Sequence, residues 1–198
     1  MTSSVPVNLL QAGLDVFIEN GYSGVTLEQV AARAQVDVST LKAQIPDKET
    51  LLHTLLKTYS PLDAMRAAIG SVEGESAEDI IRGAMRRLVQ IIDEYPAFVD
   101  LAAIDVQANN GAYLASMSTE LLPGLLRLFD RLKTTGQLRP APDPVLARTL
   151  VALLMGYVIS DKAMPKAVRV AMRLFPQRAW IDGMVDLLLY GILEDDAR

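Results

Sequence analysis

Apolar residues recur along this chain at intervals of three and four, the spacing of one helix face, and no segment reads as a strand. The pattern predicts an all-α protein. From Pro6 a first helix carries Leu10, Leu14 and Phe17 on one stripe and stops at Gly21. Residues 26–45 then read as two short helices joined by a tight turn. Thr26 and Gln29 fit a capping box, so a helix begins at Leu27, with Leu27, Val30, Ala31 and Ala34 on its inner face. Asp37 is placed to cap the second helix through its carboxylate. In that helix Leu41 and Ile45 lie one turn apart and face inward. Val38, Ser39, Lys42 and Ala43 point outward, with Gln44 at the rim. Such a pair is a helix-turn-helix, whose second helix can lie in a DNA major groove.

Pro46 closes this unit, and Asp47 can cap a further helix with Leu51, Leu52, Leu55 and Leu56 inside. Ser60-Pro61-Leu62-Asp63 has the signature of a fresh helix start, so the chain either kinks or breaks there. Gly70 to Glu75 is a loop. Ser76 and Asp79 open a helix through Ile80, Ile81, Met85, Leu88, Val89 and Ile92. Tyr95-Pro96 ends it and starts another, reaching about Ala108. Asn109-Asn110-Gly111 is a turn. A long helix follows to about Thr135, with Pro123 as an expected kink. Gly136 to Asp143 is a connection.

The last two long helices, Pro144 to about Met164 and about Gln177 to Leu193, are apolar nearly all round. A helix of that kind must be covered on every side. At a chain terminus a partner subunit is the simplest cover, so a two-fold homodimer joined through a four-helix bundle is expected. Val151, Leu154, Ile181, Met184, Val185 and Leu188 are the expected interface residues.

Composition narrows the function. Hydrophobic residues make up 51% of the 198, enough for a substantial core, and a positive mean hydropathy agrees with apolar surface buried between chains. The absence of cysteine excludes a disulfide framework and a thiolate zinc site. There is no charged leader with an apolar run, and the longest apolar stretch, Leu150 to Ile159, falls short of a bilayer span. A cytoplasmic, soluble protein with no membrane partner is expected. The formal charge of −5 argues against broad coating of nucleic acid. Residues 1–58 carry Arg33, Lys42, Lys48 and Lys57 against Asp15, Glu19, Glu28, Asp37, Asp47 and Glu49, a net −2. Affinity for DNA rests largely on phosphate neutralisation, so weak or strongly salt-dependent binding is expected.

Catalytic chemistry has little to build on. His53 is the single histidine, expected to be solvated. No phosphate-binding glycine loop is present, and Gly21-Tyr22-Ser23-Gly24 is not a nucleophile elbow. The reading is therefore no enzyme, no catalytic residues, no cofactor and no metal site. Arg86-Arg87 and the basic run Lys162, Lys166, Arg169, Arg173 and Arg178 read as solvated surface, the run as a loop or short helix.

Residues 9–57 resemble the head of the TetR-type, or tetracycline-repressor-like, regulators. Leu10, Ala12, Phe17, Asn20-Gly21-Tyr22, Thr26-Leu27, Val30-Ala31, Ala34, Val36, Thr40-Leu41, Pro46, Lys48-Glu49 and Leu51-Leu52 carry the likeness. Gly136-Gln137-Leu138-Arg139, Asp143-Pro144, Gly156 and the run Asp186 to Leu193 resemble the end of that family's ligand domain. The resemblance implies a helix-turn-helix DNA-binding domain at 1–58 and a helical ligand-binding and dimerisation domain at 59–198. It also implies a homodimer that holds double-stranded operator DNA and a small hydrophobic effector that switches DNA affinity. The regulator is expected to act as a repressor. On the matching positions Thr26 and Lys48 would hold phosphate, while Val38, Ser39, Thr40, Lys42 and Gln44 would face DNA. Met65, Phe98, Leu101, Tyr113, Met117, Leu121, Phe129 and Tyr157 are the apolar candidates for a ligand cavity, with Asp105 and Asp161 as polar candidates whose commoner fate is to face solvent. The chain departs from the family where Gln35 replaces the turn glycine, Asp37 the cap serine, and Lys42, Gln44 and Ile45 an aromatic pair and Phe. An alternative stays open: a family member whose degenerate head no longer reads specific DNA.

Overall fold

The structure, a computed structural model, describes residues 5–136, 142–172 and 174–190. Among the described residues there are eleven helices and no strands, as the periodicity predicts. They are α1 (Val7–Gly24), α2 (Leu27–Ala34), α3 (Val38–Gln44), α4 (Lys48–Thr58), α5 (Leu62–Ser71) and α6 (Ala77–Glu94). Next come α7 (Pro96–Asn109), α8 (Ala112–Thr134), α9 (Asp143–Ala163), α10 (Lys166–Met172) and α11 (Gln177–Tyr190). They pack as two compact units. One comprises the described residues of Met1–Asp63 and Ile92–Leu121, the other those of Ala64–Ile91 and Leu122–Arg198.

In the first unit α1 packs against α2, α4 and α7, and α2 carries α3. Leu9, Ala12, Val16 and Phe17 from α1 meet the buried faces of α2 and α4. Gly13 permits the close approach to α4, because a Cβ there would stand 3.1 Å from a Leu51 methyl. Gly21 ends the regular part of α1 at φ 62°, a left-handed conformation that glycine adopts without steric cost. The Thr26 capping box forms in full. Its hydroxyl oxygen accepts the Gln29 N–H at 3.3 Å, and Gln29 Oε1 accepts the Thr26 N–H at 2.9 Å.

At the other end of α2, Gln35 takes the left-handed conformation at φ 57°, as expected where the family has glycine. The Val36 N–H reaches back to the Ala31 carbonyl at 3.0 Å, so the turn closes α2 as a Schellman-type cap. A side chain in that conformation costs on the order of 1 kcal/mol. Gln35→Gly is therefore expected to stabilise the protein by about 1 kcal/mol and raise its melting temperature by roughly 2–4 °C. Thermal unfolding followed by circular dichroism checks this. Unchanged or lowered stability would mean that Gln35 makes a compensating contact.

The cap expected from Asp37 does not form. It occupies the N-cap position of α3, yet its side chain makes no capping bond and stays exposed, where water hydrates the carboxylate. Asp47, by contrast, caps α4 by accepting the Thr50 N–H at 2.7 Å. Between α4 and α5 the chain breaks rather than kinks. The Ser60 oxygen accepts the Leu62 N–H at 3.3 Å and restarts the helix past Pro61. The helix α8 runs on through Pro123 as one element.

Asp105 departs from the solvent-facing expectation. It is buried, and its carboxylate accepts the Tyr113 N–H at 3.0 Å, satisfying an amide in the first turn of α8. The Gly111 N–H meets its backbone carbonyl at 3.1 Å, so this one residue fixes the turn between α7 and α8. Its carboxylate is engaged in that turn rather than offered to a ligand.

In the second unit Ser76 caps α6, accepting the Asp79 N–H at 3.0 Å. The apolar stripe of α6 buries Ile80, Ile81, Ala84, Met85 and Val89. Its opposite edge is tied to α11. Arg86 clasps the Asp182 carboxylate with two hydrogen bonds of 2.8 and 2.6 Å, and Arg82 reaches Asp186 at 2.6 Å and the Asp182 carbonyl at 3.2 Å. Glu78 accepts from both Arg82 and the Tyr190 hydroxyl. Arg86 is thus a structural clasp and not the solvated residue expected.

The helix α9 is apolar but mostly uncovered in one chain. Val145, Val151 and Ile159 are each more than half exposed. Over Asp143–Ser160 it is long and apolar enough, by length and composition alone, to cross a membrane, and Asp143 and Arg148 lie within it. Asp143 forms an ion pair with Lys133. The short α10 falls in the basic run. The side chains of Asp161, Lys162, Lys166 and Arg169, and Arg173 as a whole, lie outside the described residues, as do 137–141 and the end of the last helix past Tyr190.

Candidate nucleic-acid interface and ligand cavity

The outer face of the helix-turn-helix is built by a very short helix. Seven residues cannot hold a helix alone, so α3 depends on docking. Leu41 is its buried residue, and Ile45, just past its end, is equally buried. Anchoring both on α2 leaves Ser39, Thr40, Lys42, Ala43 and Gln44 exposed and Val38 half-buried. The residues expected to face DNA therefore share an accessible surface, with Thr26 exposed at the start of α2.

Three cations of the head are already engaged. Lys42 Nζ lies 2.9 Å from Glu28 Oε1, and both side chains are at least half exposed. The Lys42 hydrogen bond, first, and the Glu28 backbone N–H hold the Glu28 carboxyl below its ordinary range, with a lesser contribution from the Thr26 hydroxyl. Arg33 forms a bidentate pair with Glu19 at 2.6 and 2.7 Å. Lys48 donates to the Tyr22 carbonyl at 3.1 Å and sits 4.4 Å above the Tyr22 ring, which in turn stacks on Phe17. In this arrangement Lys48 fastens the start of α4 to the end of α1. Sequence spacing could place these cations on the head but gave no sign of their intramolecular partners.

The second unit contains a cavity of about 70 Å³ with a lining that is apolar throughout. Ile69 of α5, Ile80, Ile81, Ala84, Met85 and Leu88 of α6, and Leu125, Leu128, Phe129 and Leu132 of α8 form its walls. Ala147, Leu150, Val151 and Leu154 of α9 complete it, and the exposure of Val151 marks its open side. Of the expected ligand residues, Phe129 lines this cavity. Tyr157 lines a smaller niche with Met85, Val89, Ile181 and Met184. Met65 is buried in the second unit, while Phe98, Leu101, Met117 and Leu121 are buried in the first. Tyr113 is half-buried there and meets the rings of Phe98 and exposed His53 edge-on. The aromatic and methionine content drew attention to the first unit. The stripe of α6 and the aliphatic face of α9 were the better signal for the cavity.

The expected interface residues divide in a similar way. Val185 is fully buried within one chain and Ile181 nearly so, so neither has surface left to offer a partner. Leu154, Met184 and Leu188 are half-buried and Val151 exposed. The large apolar surface on these helices comes instead from Val151, Met155, Ile159 and Leu187.

A profile of the family described as "Bacterial regulatory proteins, tetR family" matches residues 9–55. The head is thus similar to that of the TetR-family regulators. Solved structures of bacterial regulators, one of them described as TetR family, also share the fold. PfmR from Thermus thermophilus superposes with a TM-score of 0.71 at 15% identity, covering 97% of this chain and 99% of that one. A Clostridium perfringens protein whose name refers to a fatty acid metabolism regulator gives 0.71 at 20% identity, over 95% and 100% of the two chains. FadR from Bacillus subtilis, in complex with stearoyl-CoA, gives 0.60 at 19% identity, over 94% and 98%. Identities this low establish the fold. Among curated proteins none matches the sequence. The match over the head supports the reading of a DNA-binding transcriptional regulator.

Proposed function

We propose that the protein is a homodimeric, cytoplasmic repressor released from double-stranded operator DNA by a small, largely apolar effector. The effector half of this reading rests on the lining of the cavity, fourteen residues without a charged or hydrogen-bonding side chain among them. Burying a polar group there without a partner costs several kcal/mol, whereas an alkyl group gains about 0.8 kcal/mol per methylene. An alkyl or acyl chain with its polar end outside fits that chemistry, and FadR's complex with stearoyl-CoA agrees with the class. The volume takes a short apolar group, so a longer chain must widen the cavity. Exposed apolar positions on α9, Val151, Met155 and Ile159, support a second copy as its cover. Two heads in such a dimer reach successive major grooves, about 34 Å apart, only at one spacing. An effector that binds another spacing more tightly lowers DNA affinity by that difference.

A labelled duplex from upstream of the protein's own gene, titrated with and without a series of acyl-CoA esters, tests this. The expected result is specific binding that is weakened by one chain length and not by coenzyme A alone. Ala84→Phe, which adds a ring to the cavity wall, should keep the DNA affinity and lose the response to the ester. Binding no tighter than to random DNA, even at low salt, would favour the alternative of a degenerate head.

A further inference from the structure

We infer that Glu28 competes with DNA phosphate for Lys42, making it a residue that sets the affinity of the head for DNA. This inference rests on the DNA-binding reading above and deepens it. Lys42 is the one cation on the outer face of α3, and its ammonium lies 2.9 Å from the Glu28 carboxylate. A carboxylate and a phosphate offer a lysine the same chemistry: anionic oxygens accepting a charge-assisted hydrogen bond. The Thr26 hydroxyl, the other group at this edge expected to hold phosphate, caps α2 by accepting the Gln29 N–H at 3.3 Å.

The competition has physical consequences. Both side chains are at least half exposed, so the ion pair is weak and screened by water, and a phosphate can displace it. Displacement leaves Glu28 unpaired beside the DNA backbone, which opposes binding. Two of the three remaining cations of the head offer no easy substitute, because Arg33 is chelated by Glu19 and Lys48 is fastened to Tyr22. An acidic head can thus hold DNA while keeping its sequence-independent phosphate attraction low. Base contacts then decide a larger share of the total affinity.

The test uses full-length wild type, E28Q, K42Q and the double variant, titrated against the upstream duplex and against random DNA between about 50 and 200 mM salt. E28Q is expected to bind more tightly and to show a salt slope steeper by about 0.9, one additional phosphate contact. Its advantage over wild type then grows about three-fold between 200 and 50 mM. In the K42Q background Glu28→Gln should give a much smaller gain. An E28Q affinity and slope equal to those of wild type overturn the inference, as does a gain that persists undiminished without Lys42. If specific binding is absent, the regulatory reading fails, yet a Lys42-dependent gain by E28Q on random DNA still supports the competition. If no form binds any DNA, both fail. Helical content and melting temperature confirm that each variant is folded, and E28A replaces E28Q if that variant is not.

Discussion

Leu41→Ala is expected to abolish DNA binding while the second unit stays folded. The argument begins from the length of α3, seven residues, which is too short for backbone hydrogen bonding to sustain it. Docking supplies the stability, through Leu41 within the helix and Ile45 just beyond it, both fully buried. Removing most of the Leu41 side chain loses its transfer free energy and leaves a cavity, about 2–5 kcal/mol for a buried leucine. That is a large share of the roughly 5–15 kcal/mol that holds a typical protein folded. Because the residue lies in the first unit, the loss should appear as earlier unfolding of that unit and not as a uniform shift. Amide exchange measured by mass spectrometry should show lost protection in α2 and α3 with α6 and α11 unchanged, together with loss of binding to the upstream duplex. Intact protection in α3 would mean that Ile45 alone docks it.

The parts of this fold that were legible in the sequence are those governed by local chemistry. Thr26 and Gln29 are three residues apart and can cap only one another, so the start of α2 followed from spacing. Gln35 was legible for the same reason, since a two-helix turn needs a left-handed residue whatever occupies it. Asp37 shows the limit of such local rules: the right residue stands in the right place, but its exposed carboxylate is hydrated and makes no cap. Partnerships over long separations were not legible. Arg82 and Arg86 are one helical turn apart, as are Asp182 and Asp186, and this matched spacing was the available signal for the clasp between α6 and α11. Reading Arg86 only with its neighbour Arg87 made it a surface charge. Asp105 was missed similarly, because its amide partner lies eight residues ahead, across a turn. Of the candidate ligand residues Phe129 lines the cavity described, and its other walls are plain aliphatic stripes. Periodicity tells which face is buried without telling what lies opposite, and a cavity is a property of several opposing faces at once.

The clasp between α6 and α11 leads to a pH-dependent expectation for Arg82→Met. Methionine keeps much of the apolar stem but removes the guanidinium, which is largely buried and serves Glu78, Asp182 and Asp186. Three carboxylates then lose a shared cation, and Asp182 keeps only Arg86. Removing one partner of a well-buried network costs about 3–5 kcal/mol, but the acids here are partly open to water, so roughly 1–2 kcal/mol is expected at neutral pH. The melting temperature should fall by roughly 5 °C. The sign of the pH dependence follows from the carboxylates. Arg86 first, and Arg82 after it, hold Asp182 below its ordinary value of 3.8, and Tyr190 with Arg82 holds Glu78 below 4.5. Groups with depressed folded values contribute stability that is full above their unfolded values and is lost as pH falls through the folded ones. Wild type should therefore lose stability steeply below about pH 4, while the variant, having less of this contribution, loses less. The difference between them is expected to be constant from about pH 7 to about 5 and to close under stronger acid. Melting both proteins from about pH 7 down to about pH 2 checks it, and a difference that stays the same into the strongest acid would mean that Arg82 acts through the packing of its stem and not through its charge.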